Sequence, residues 1–129
     1  MNNYEVLFEE KLELYAALLK GEPVTWRGSV RAPLQNQSVY PTPASGTLRT
    51  WIGVGGSPES VVRAVHYGFP LTIAIIGGDP ARFKPFADLY RQAHAKVGTK
   101  PNALAVHSHG HIARTDEEAR ETYWPAYKA

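Results

Sequence analysis

Cysteine is absent from the 129 residues, and with it go disulfides, thiolate metal ligands and any thiol nucleophile. Charge bias is missing too. The 14 basic and 12 acidic residues leave a net charge of +2 and form no long run, so the pattern favours neither nucleic acid nor an anionic membrane. The apolar runs over 14–19 and 73–76 fall far short of the roughly 20 residues that span a bilayer. The acidic start lacks the basic region that opens a signal peptide, and the expected compartment is the cytoplasm. What is present is a 43% apolar chain, long enough for one domain with a core and short for two.

Two stretches share one design. Trp51-Ile52-Gly53-Val54-Gly55-Gly56-Ser57-Pro58 and Ile73-Ala74-Ile75-Ile76-Gly77-Gly78-Asp79-Pro80 are each an apolar strand, a Gly-Gly turn, a capping side chain and a proline. Each reads as a strand entering a helix at its positive end. The glycines allow positive φ and close backbone approach, Ser57 or Asp79 caps free N–H groups, and Pro58 or Pro80 sits where no N–H is missed.

The rest of the chain arranges itself around these turns. Leu7, Leu12, Tyr15, Leu18 and Leu19 near helical spacing predict an amphipathic helix over 4–20, with Gly21 as its stop. A β-prone stretch over 24–28 leads into a proline- and glutamine-containing excursion or irregular hairpin. From Trp51 the pattern predicts strand 50–54, helix 58–67, strand 71–76, helix 80–97, strand 103–107 and helix 116–123, the last stopped by Pro125. Pro85 places the regular start of the 80–97 helix near Lys84, and Thr115 with Glu118 has capping-box spacing. Phe83, Phe86, Ala87, Tyr90, Ala93 and Val97 form the inner stripe of that helix. Strand 71–76, apolar except at Thr72, reads as covered on both faces. The expectation is one α/β domain over 1–129: a helix over 1–21, an irregular excursion over 22–49 and βαβαβα over 50–129. Three parallel strands make a poor complete sheet, since both outer strands keep unpaired edges.

Ligands of parallel α/β proteins bind at the carboxyl ends of strands, which singles out 53–60, 76–82 and 107–115. The turn around Gly55, Gly56, Ser57, Glu59 and Ser60 offers amides and hydroxyls suited to a phosphate monoester. It also reads as a plain capped turn, and the Glu59 carboxylate works against an anion unless it points away. Asp79 already caps the second turn with a negative charge, while Gly77 and Gly78 leave room for a flat ring. His107, His109 and His111 share a face if the segment stays extended. Two histidines so spaced suit a metal, but no further ligand stands nearby, so structural or ligand-contacting histidines are the preferred reading, with proton transfer or a hydrogen bond to a polar ligand open at His107 and His109. His66 and His94, each late in a helix, read as structural, as does a solvated Arg63. Trp26 and Trp124 lie in covering segments, and Trp51 starts a core strand.

At these residues the chain resembles the bacterial-luciferase-like, flavin-dependent oxidoreductases. The stretch Trp51–Ala64, in which Gly55-Gly56-Ser57-Pro58-Glu59-Ser60 stands, is followed by Gly68-Phe69-Pro70-Leu71 and Ala74-Ile75-Ile76-Gly77-Gly78. All of it resembles the family's fifth and sixth barrel units. Leu7-Phe8-Glu9-Glu10-Lys11-Leu12, Val24-Thr25-Trp26-Arg27-Gly28 and Val39-Tyr40-Pro41-Thr42-Pro43 extend the likeness upstream. Val106-His107-Ser108-His109-Gly110 and Thr115-Asp116-Glu117-Glu118-Ala119 extend it downstream. The resemblance implies a partial (β/α)₈ TIM barrel of about three βα units that binds reduced FMN, or in some relatives F420, at its carboxyl face. It implies a flavin-dependent monooxygenase or oxidoreductase acting on a small organic substrate. The family's flavin phosphate sits at the turn matching Gly55, Gly56, Ser57, Glu59 and Ser60. Gly77, Gly78, His107 and His109 would face the flavin or substrate.

A full barrel of this type needs about 250 residues. The expectation is therefore a fragment of the C-terminal half, completed by homo-oligomerisation or by a partner carrying the missing half-barrel. A noncatalytic flavin-binding or assembly module is the alternative within the family. A metal-dependent hydrolase built on His107 and His109 is the alternative outside it.

Overall fold

Glutamates spaced between leucines open the chain as a helix, and the computed structural model, which describes residues 3–128, forms it as α1 over Tyr4–Leu18. The chain divides into two compact units, Met1–Thr50 and Trp51–Ala129.

In the first unit α1 turns only part of its expected stripe inward. Leu12 and Leu14 are buried, whereas Leu7 is 41% exposed. The small core joins Leu14 to Val24 and Trp26 of β1 (Val24–Trp26), with Ala17, Leu18 and Leu34 packed against them. The irregular hairpin is present: β1 pairs antiparallel with β2 (Leu34–Gln37), matching Val24 to Gln37 and Trp26 to Leu34. β2 fits one more residue than β1 between those pairs. Asn36 absorbs it at φ 47, and its N–H donates to Thr25 Oγ1 at 2.9 Å. Glu10 fastens the chain beyond β1. Its carboxylate accepts the Ser29 hydroxyl at 2.6 Å, the Ser29 N–H at 2.8 and 2.9 Å and the Val30 N–H at 3.0 Å.

Those donors, the Ser29 hydroxyl first, hold the Glu10 carboxyl below its ordinary range. A lowered folded value means that the anchor stabilises fully above the unfolded value and loses its effect as pH falls through the folded one. Glu10→Gln is therefore expected to lower the thermal midpoint at neutral pH. The gap to the parent protein should narrow on acidification, as circular dichroism melts across pH will show.

The second unit is a three-stranded parallel sheet in the order β3 (Ile52–Val54), β4 (Leu71–Ile75), β5 (Leu104–Ser108). Register runs Ile52–Leu71–Leu104, Gly53–Thr72–Ala105 and Val54–Ile73–Val106, and then Ala74–His107 and Ile75–Ser108. α2 (Pro58–His66) packs on β3 and on α3 (Lys84–Lys96), and α3 packs on β4. The buried set is Ile52, Val54, Leu71, Ile73 and Ile75 from the sheet, with Val61, Ala64, Val65, Tyr90 and His94 from the helices. α4 (Asp116–Lys128) buries none of its residues.

Helix ends follow the local chemistry. Both α2 and α3 close with a glycine at φ +71, Gly68 and Gly98. In each, the glycine N–H and the next N–H reach back to the last turn: Gly68 to Val65 and Phe69 to Ala64, Gly98 to Ala95 and Thr99 to His94. The expected irregular start of the 80–97 helix is a 3₁₀ turn over Pro80–Phe83, after which Pro85 stands in the first turn of α3.

Four expectations need correction. Strand 71–76 is not covered on both faces: Thr72 and Ala74 are half-exposed, on the face opposite the buried Leu71, Ile73 and Ile75 where α2 and α3 pack. Trp51 is 43% exposed and precedes β3 rather than starting the core. Val97 is 61% exposed, since α3 ends before it. Pro125 does not stop the last helix, which continues to Lys128. The proline removes only the bond to the Glu121 carbonyl, and Glu121 is exposed to water. No helix of the described residues is long and apolar enough to cross a membrane.

Tyr90 links the layers, donating its hydroxyl to the Phe69 carbonyl at 3.1 Å. Burial raises its phenol above the ordinary value, so its stabilisation holds below the unfolded value and is lost at more alkaline pH. Tyr90→Phe is expected to cost about 1–2 kcal/mol in denaturant unfolding, because the Phe69 carbonyl loses its donor.

Candidate functional site

Where β3 hands over to α2, the backbone and three side chains gather. Ser57 is extended at φ −104 and ψ 113, Pro58 opens the helix, and Ser60 N–H donates to Ser57 Oγ at 3.4 Å. A Cβ added at Gly53, Gly55 or Gly56 would meet nothing within 4 Å. Gly55 and Gly56 do not take positive φ, contrary to expectation, so what their missing side chains provide is open space above the backbone.

Glu59 does not point away from this space. Its carboxylate accepts the Ser57 hydroxyl at 2.8 Å, and attraction to its own backbone N–H, then this hydroxyl, with Arg63 adding to them, holds the carboxyl below its ordinary range. The carboxylate thus sits on donors that an incoming anion would use. Arg63 is drawn to Glu59 rather than standing as a purely solvated residue.

The second turn is built for a different purpose. Asp79 Oδ1 accepts the Ala81 N–H at 2.9 Å, and only a 3₁₀ turn follows. Gly78 takes φ +79, so a side chain there would be strained, and its added Cβ would lie 3.5 Å from Arg82 Nη1. Gly77 has open space around it.

The three imidazoles separate. β5 ends at Ser108, so the expected shared face of His107, His109 and His111 does not form. His107 stays on the strand, exposed and in register with Ala74. By alternation it lies on the face opposite buried Ile73 and Ile75, together with Gly53, Thr72, Ala74 and Ala105. His109 lies edge-on to Tyr127 with ring centres 6.1 Å apart, and His111 stacks on Tyr123 at 5.5 Å and 5° while its Nε2 meets Thr122 Oγ1 at 3.0 Å. Among the described residues no three His, Asp or Glu side chains converge as metal ligands.

Thr115 and Glu118 cap α4 in modified form. Thr115 Oγ1 accepts the Glu118 N–H at 3.1 Å, but the Glu118 carboxylate takes the N–H groups of Arg114 at 3.2 to 3.3 Å. His66 is exposed beside Tyr67. His94 is a core residue, 2% exposed, with Nδ1 2.7 Å from Thr99 Oγ1 and Nε2 buried without a partner. Its position one turn after Tyr90 was the signal for that burial.

The sequence matches the luciferase-like monooxygenase family over residues 2–129. The chain belongs to that family. A fold likeness agrees: the crystal structure of monooxygenase RslO1 from Streptomyces bottropensis superposes with a TM-score of 0.74 at 20% identity. The match covers 99% of this chain and 40% of that one. No curated protein gives a match. The parallel sheet flanked by helices is thus part of a TIM-barrel architecture, without a closed barrel in these residues. Within that architecture, the turn after β3 and His107 both fall at carboxyl ends of parallel strands, the edge where barrel enzymes place their chemistry. The open-face residues Thr72, Ala74 and Ala105 were assigned no place at the site from the sequence. Their signal was small or polar side chains alternating with buried ones.

Ser57→Ala removes both the cap and a donor to Glu59. We expect a loss of about 1 kcal/mol in unfolding free energy, and a rise of the Glu59 carboxyl toward its ordinary value in an NMR pH titration.

Proposed function

We propose that this chain contributes the phosphate-binding part of an FMN-dependent monooxygenase acting on a small organic substrate. The observation that carries the reading is the turn after β3 in a luciferase-like family member: a Ser57 hydroxyl and α2 amides beside open space over Gly55 and Gly56. A phosphate monoester suits that set, since its oxygens accept from amides and hydroxyls and its charge is favoured at the helix start. Reduced flavin, when bound, supplies the electrons for oxygen or hydride chemistry.

The residues fit the group on one condition. Glu59 must yield its hold on the Ser57 hydroxyl and its own N–H, turning toward Arg63 one helical turn on. F420 also carries a phosphate, and the dianionic monoester of FMN is the better match to a site with several N–H and O–H donors. Gly77 leaves space for the ring on the next turn. β3 and β5 keep open edges, where strands beyond these three would pair to enclose the ring and the substrate.

Equilibrium titration with FMN and riboflavin tests the reading, because the two share a ring and differ in the phosphate. FMN is expected to bind at least about tenfold more tightly, as two or more charge-assisted hydrogen bonds predict. Glu59→Gln, which removes the competing charge, should tighten FMN alone by roughly two- to fivefold. Equal affinities for the two flavins would overturn the phosphate site.

A further inference from the structure

β3, β4 and β5 together carry one ionisable side chain, His107. It stands near the carboxyl end of β5, on the face opposite the buried Ile73 and Ile75 that α2 and α3 cover. The other strand positions of that face are Gly53, Thr72, Ala74 and Ala105. A floor of such small side chains lets a flat ring approach the backbone, and the single imidazole at its end can both donate and accept a hydrogen bond. His107 has no hydrogen bond or ring contact among the described residues.

Its two neighbours in sequence are engaged elsewhere. His109 and His111 join Tyr123 and Tyr127, which stack on each other at 5.1 Å, in a strip of rings along α4. α4 buries no residue, and these contacts and the bond from His111 to Thr122 join the Arg114–Glu118 bonds and the Thr115 cap in tying it to the segment leaving β5.

We infer that His107 is the side chain that hydrogen-bonds the polar edge of the flavin ring, while His109 and His111 fasten α4 and take no part in binding. The inference rests on the flavin reading of this face. A donor at the electron-rich edge of the ring stabilises the reduced form more than the oxidised one, so His107 also raises the reduction potential of the bound flavin. One neutral hydrogen bond corresponds to about three- to tenfold in affinity.

The test titrates FMN and riboflavin into the parent chain, His107→Leu, His107→Asn and His109→Leu, with melting curves for each. His107→Leu is expected to weaken both flavins by the same three- to tenfold with an unchanged melting temperature, and His107→Asn to recover most of the loss. The potential of bound FMN should fall in His107→Leu by about 15–30 mV, which for a two-electron couple corresponds to the reduced form losing about three- to tenfold more affinity than the oxidised form. His109→Leu should melt earlier and bind both flavins as the parent does. An unchanged affinity and potential in His107→Leu, or an equal loss in His109→Leu, overturns the assignment. A phosphate preference that survives such a result leaves the turn after β3 intact, whereas binding of neither flavin to the parent chain overturns both.

Discussion

A helix that begins directly after a buried parallel strand carries N–H groups with no partner, and the functional end of the Trp51–Ala129 unit is organised by that need. At α2 the need is met by Ser57, whose hydroxyl accepts from Ser60 and donates to Glu59. At the 3₁₀ turn it is met by Asp79. The two solutions differ in one respect that matters. Asp79 brings a fixed negative charge into the cap, while Ser57 is neutral and its charged companion, Glu59, is held by bonds that an anion of higher charge competes for.

The one-sided sheet sets the second constraint. α2 and α3 cover Ile52, Val54, Leu71, Ile73 and Ile75, which leaves Gly53, Thr72, Ala74, Ala105 and His107 on the other face. Side-chain alternation along a strand makes this division unavoidable once one face is packed. On that other face the strand positions other than His107 are small or polar, so they contribute little to the core. The family membership gives that face its meaning, and the register decides which residues belong to it.

Much of this was legible in the sequence because it is local. Gly-Gly-Ser-Pro and Gly-Gly-Asp-Pro named two strand-to-helix turns, and Pro85 marked where α3 becomes regular. What escaped depends on contacts that spacing does not encode. Glu59 was read as a neighbour of the cap, whereas it is bonded within it. His109 and His111 were extrapolated along a strand that ends at Ser108, and their partners lie more than ten residues on, in α4. Trp51 and Val97 sit one position outside their elements, where a propensity pattern has its least reliable boundary. Pro125 shows that a breaker fails to break an exposed helix whose lost bond water replaces.

The central claim is that the donors at the start of α2 receive a phosphate. The most direct measurement is a proton–nitrogen correlation spectrum of the labelled chain, followed as FMN is added. The backbone amides of Ser57, Glu59, Ser60 and Val61 should move together and saturate, while the same ring without its phosphate leaves them nearly still. Movement confined to other parts of the chain, with those four amides unchanged at saturating FMN, would contradict it.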